Sequence, residues 1–67
     1  MTLKEYLSKQ VVRPASSTTI CSEIYETCHN QFSKKTVVAE LQAITEEFEN
    51  TKAIEISNVL RESYEWW

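Results

Sequence analysis

Glycine is absent from all 67 residues, and that absence limits the available folds more than any other property of the chain. Phosphate-cradling loops, type I′ hairpin turns and nucleophile elbows use glycine for positive φ or for close backbone approach. Without it, P-loop and dinucleotide-binding folds lose their usual construction, and a hairpin-rich β domain is disfavoured. Helices joined by short polar turns remain. The expected fold class is all-α: a small bundle of three to four helices forming one domain over residues 1–67, the last two paired as an αα-hairpin.

The chain has no repeat, no low-complexity tract and no linker able to separate two domains. A hydrophobic share of 42% is ordinary for a globular protein and argues against intrinsic disorder. No apolar run approaches the roughly 18 residues of a membrane span, and Met1-Thr2-Leu3-Lys4-Glu5 has no signal-peptide core. A cytoplasmic protein with no membrane association is therefore expected.

Four segments carry helical signals. Thr2 and Glu5 fit a T-x-x-E capping box, and Leu3, Leu7 and Val11 repeat on one face of a helix over about 3–12. Pro14 follows as its stop. A second helix is expected over about 18–31, capped by Ser17 or Thr18. Its apolar stripe is Ile20, Ile24, Cys28 and Phe32, widened by Cys21 and Tyr25. Ser33 is the expected N-cap of the third, which puts Phe32 and Val37 at the two positions of a hydrophobic staple. Val37, Leu41, Ile44 and Phe48 then form a seam spaced four, three and four.

The polar stretch Asn50-Thr51-Lys52 breaks that seam. Asn50 is expected to take the left-handed position and Thr51 to cap a fourth helix over about 52–65. That helix would place Ile56, Val59, Leu60, Ser63 and Trp67 on one side. One long helix slipping phase near residue 51, or a short strand over 53–56, are the alternatives to an αα-hairpin from 33 to 67.

Residue types that support catalysis are present but poorly placed for it. Cys21 and Cys28 share a helix face at about 10.5 Å between Cα atoms, given a 1.5 Å rise per residue. That exceeds the roughly 7 Å limit for a disulfide. C-x6-C with His29 beside it does not supply the close ligand pairs of a zinc site. Cys28 and His29 are neighbours and diverge by about 100° on a helix, and the adjacent Glu46 and Glu47 diverge likewise. No enzyme, metal site or cofactor is expected; the cysteines read as core residues.

Charge is uneven. Residues 1–35 carry a balance of +2 and residues 36–67 a balance of −5, within a net −3. The acidic half suits a basic protein surface better than a phosphate backbone. Tyr64-Glu65-Trp66-Trp67 adds three aromatic residues of the types enriched at binding hot spots. A regulator or inhibitor that binds and occludes a partner protein is the expected function, with Tyr64, Trp66 and Trp67 as contact residues. Small domains often complete their core by pairing, so a homodimer through residues 37–67 is a further expectation. A structural subunit of an oligomeric assembly is another reading.

Phe32-Ser33-Lys34-Lys35-Thr36-Val37 resembles the turn and recognition-helix start of helix-turn-helix DNA-binding proteins. The resemblance covers about twenty residues. It implies a DNA-binding regulator in which Lys34, Lys35 and Thr36 contact phosphates and Gln42 reads adenine. The family's turn glycine falls on Gln31, its small alanine on Thr27, and its other apolar positions on Glu26, Asn30 and Glu40. The isoelectric point of about 5.0 is also far from a basic footprint, so nucleic acid is the less favoured partner.

Overall fold

The computed structural model describes residues 2–64 and 67, and Trp66 lies outside the described residues. The chain is an all-α bundle of helices α1 (Leu3–Val11), α2 (Ser17–Cys28), α3 (Lys34–Phe48) and α4 (Thr51–Ser63). α3 and α4 make the most extensive pair, the αα-hairpin expected from the sequence. α4 also packs on α2, and α1 packs chiefly on α3.

The helix starts follow their cap chemistry. Thr2 and Ser33 accept from the backbone N–H groups of Glu5 and Thr36, as their spacing implies. Ser16, rather than Ser17 or Thr18, caps α2 by accepting from Thr19 N–H. α2 ends at Cys28, earlier than expected, and the backbone then turns so that the N–H groups of Gln31 and Phe32 both donate to Cys28 O.

The α3–α4 turn differs by one residue from the expectation. Glu49, not Asn50, takes the left-handed conformation, at φ 50° and ψ 40°. Asn50 instead caps α4, its side-chain carbonyl accepting from the N–H groups of Lys52 and Ala53 at 2.9 and 3.3 Å. The break at 49–50 excludes one continuous helix, and residues 53–56 are helical rather than a strand.

Leu7, Val11, Ile20, Cys21, Ile24, Cys28, Val37, Leu41, Ile44, Ile56 and Leu60 fill the core, drawn from all four helices. Of the expected stripes, Leu3, Tyr25, Phe32, Val59 and Trp67 are partly buried at its margin, and two residues are exposed. Ser63 is exposed, and Phe48 is 58% exposed because it lies beside α1, among Lys4, Ser8 and Val12, rather than beneath it. Ser57 is fully buried and donates from its hydroxyl to Ile54 O, within its own helix. No helix among the described residues is long and apolar enough to cross a membrane.

Lysines join the helix ends to distant segments. Lys52, in the first turn of α4, donates to Arg13 O and Ala15 O in the α1–α2 turn at 2.6 and 2.7 Å. Lys34 opens α3 and donates to Arg61 O and Tyr64 O at 2.8 and 3.1 Å. Its positive charge thus sits at the negative end of the α4 dipole.

Candidate functional site

The aromatic residues of the C-terminus meet those of α2. Tyr25 points from the half-buried edge of α2, and the Tyr64 ring stacks on it at 4.9 Å between centroids and 17° between planes. His29, one turn beyond Tyr25, stacks at 4.5 Å and 15°. Tyr64 and His29 thus both stack on Tyr25. Trp67 forms T-shaped pairs with Tyr25 at 5.4 Å and with Tyr64 at 6.5 Å between centroids, both near perpendicular. These offset and edge-to-face geometries are the favourable ones for aromatic quadrupoles.

Trp67 is also held by its indole N–H, which donates to Phe32 O at 2.9 Å. Tyr64 and Trp67 are both half-buried and packed against the core. Of the three expected contact residues, these two therefore form one cluster that closes the end of the bundle and leaves part of each ring at the surface. Sequence reasoning did not include Tyr25 and His29 in this group. The available signal was their i, i+4 spacing, which places both on one face of α2.

The cysteines lie elsewhere. Cys21 and Cys28 are free thiols buried in the core. Burial pushes the Cys21 thiol up to about 11 and also raises Cys28, so both stay protonated and unreactive near neutral pH. Cys21 Sγ lies 3.4 Å from Ile56 O as a weak donor. His29 Nδ1 donates to Tyr25 O at 2.8 Å, which orients the ring along its own helix and away from a pairing with Cys28. No group of three or more His, Cys, Asp or Glu side chains suited to a metal occurs among the described residues.

The four residues of the DNA-binding alternative divide in two. Lys34 is turned onto the end of α4, and the Thr36 hydroxyl lies 2.8 Å from Ser33 Oγ in the cap of α3. Lys35 and Gln42 line an open groove with Lys34, Val38, Ala39 and Arg61. α2 and α3, the pair that a helix-turn-helix would require, make less contact with each other than any other pair of helices.

A second apolar surface lies where α1 and α3 end. Val12 is 72% exposed, and with Phe48 it lines a shallow depression floored by Val11 and Ile44. Beside it Lys4 pairs with Glu47 across α1 and α3, the hydrogen bond and charge of Glu47 raising the Lys4 pKa. Comparison with protein-family models, curated proteins and solved structures finds no match to this chain.

Proposed function

We propose that this chain is a non-catalytic protein-binding module, a regulator or inhibitor that works in the cytoplasm by covering a site on a partner protein. The observation that carries this reading is the half-exposed cluster of Tyr25, His29, Tyr64 and Trp67 at the C-terminal end of the bundle. Aromatic side chains bury large areas at low entropic cost, and those already held by neighbours lose little further freedom on binding. The rings here are fixed by stacking and by the Trp67–Phe32 hydrogen bond before any partner arrives. Trp66, adjacent in sequence, adds a third C-terminal aromatic residue to this contact. Buried, protonated cysteines suit a reducing compartment and take no part in the contact. A second copy of the chain is the other occupant of this surface, which would make the module a homodimer or an assembly subunit.

The test is affinity capture from nuclease-treated host lysate with the tagged wild-type chain and with Trp66→Ala and Tyr25→Ala variants, read by mass spectrometry. One protein enriched near stoichiometry by the wild type and lost with the variants, while their helical circular dichroism persists, supports the reading. Equal capture by all three chains removes the aromatic cluster from it. Return of the bait alone, with a mass that rises with concentration, replaces the foreign partner by a second copy.

A further inference from the structure

The groove on the outer face of α3 and α4 has a different chemistry from the rest of the surface. It encloses about 510 Å³ and is lined by Lys34, Lys35, Val38, Ala39, Gln42 and Arg61. Three of the chain's 7 Lys and Arg residues meet there, and no acidic side chain lines it, in a protein of net charge −3. Between the cations the floor is apolar and low: Val38 is 8% exposed, and the exposed Ala39 has no side chain beyond Cβ to keep another backbone away.

Helical spacing extends the surface. Lys35, Ala39 and Gln42 follow one another along α3, while Ile54, Asn58 and Arg61 follow one another along α4. Ile54 is 45% exposed and adds an apolar residue on the α4 side to Val38 and Ala39 of α3. We propose that this groove docks an acidic amphipathic segment of a partner protein. The segment's apolar side chains would lie over Val38, Ala39 and Ile54, and its carboxylates would meet Lys35 and Arg61. The inference rests on the protein-binding reading, but it assigns a surface separate from the aromatic cluster and gives the partner's chemistry.

Charge complementarity selects this occupant over a nucleic acid. The Lys34 ammonium is already engaged by Arg61 O and Tyr64 O, and Arg61 donates to the Asn58 side chain. The basic zone is therefore short. Glu46 lies one turn beyond Gln42 on α3, and Glu62 one turn beyond Asn58 on α4. A polyanion carrying a charge at every phosphate would run into these glutamates, whereas a segment with a few carboxylates stops within the cationic zone. Surfaces of this size give weak, transient complexes whose on-rate and specificity depend on charge.

The test is an amide NMR titration of the full chain with a short synthetic helix bearing Leu at i, i+3, i+4 and i+7 and Glu elsewhere. Control probes carry Gln or Lys at the Glu positions, and a duplex DNA of arbitrary sequence completes the set. The proposal expects shifts concentrated in residues 34–42 and 54–61. Affinity should fall about tenfold or more with the Lys probe and with K35E or R61E, and should weaken with added salt. Both positions are exposed, so circular dichroism should be unchanged; the milder Lys35→Ala should lose less affinity than K35E. Equal affinity for the Gln probe, shifts outside the groove, or no shifts overturn the proposal. Tighter binding of DNA at these residues replaces it with nucleic-acid recognition. If the groove binds the Glu probe while the aromatic variants capture partners normally, only the aromatic surface is withdrawn. If the aromatic variants lose capture and the groove binds nothing, only the groove is withdrawn.

Discussion

Lys52→Met tests how the α1–α2 turn is attached to the rest of the bundle. Lys52 occupies the second position of α4, where a cation opposes the helix dipole at a cost of roughly 0.3–1 kcal/mol. Its return comes from the two carbonyls of Arg13 and Ala15, to which the ammonium donates at 2.6 and 2.7 Å. Hydrogen bonds to charged groups contribute about 1.5–3 kcal/mol each when buried. Here the site is half-buried, so water restores part of that, and about 2–3 kcal/mol in total is a fair loss for the pair. Methionine keeps most of the apolar stem and removes the unfavourable dipole contact. The net is about 1.5 kcal/mol of destabilisation, which in a domain of this size lowers Tm by roughly 6–12 °C. Thermal melts by circular dichroism at matched pH and salt measure it. A Tm within about 2 °C of wild type would show that solvent replaces the ammonium fully and that the turn does not depend on α4.

Other consequences are checked more briefly. Glu49→Gly should stabilise the chain by about 0.5–1 kcal/mol in urea melts, since glycine takes the left-handed position of Glu49 without the Cβ penalty. Phe48→Ser should change stability by no more than about 0.5 kcal/mol, whereas Ile44→Ala, one turn earlier and buried, should cost about 2–5 kcal/mol. The raised pKa of Cys21 means that its protonated form is favoured in the folded state. Its contribution is fully present below pH 9.0 and is lost as pH rises towards about 11. Wild type should therefore lose more stability than Cys21→Ala across that interval, and parallel pH profiles for the two chains would refute the assignment. In a Trp66→Phe background, Trp67 fluorescence should shift to the red on unfolding, because its ring leaves the half-buried cluster; an unchanged spectrum would contradict that placement.

The bundle was legible in the sequence wherever a single local rule governed a position. Thr2 and Ser33 had no competing demand and cap the helices their spacing implied. The α3–α4 turn had two demands on one residue. Asn50 suits both a left-handed position and an N-cap, and as a cap its side chain serves two backbone N–H groups of α4. That use displaces the left-handed conformation onto Glu49, and residue preferences taken one at a time could not decide between the two. Phe48 shows a different limit. Its spacing along α3 was right for the core, but burial also needs an opposing surface. α1 runs past Phe48 from Lys4 to Val12 but leaves the ring at its flank, 58% exposed.

The surfaces proposed for binding were half legible for the same reason. The C-terminal aromatics stood out by composition, but their partner Tyr25 lies 39 residues from Tyr64 and is brought to it only by the packing of α2 on α4. Lys34, Lys35 and Gln42 stood out as the start of a helix, and that local view suggested DNA. Arg61 joins them only because the α3–α4 hairpin folds back, and the same fold turns Lys34 onto the end of α4. Tertiary pairing thus both enlarges the basic zone and removes one of its lysines from direct contact. What is left is a short cationic rim around Val38 and Ala39, with glutamates one turn away, and this geometry favours a few carboxylates on an apolar segment over a continuous phosphate backbone.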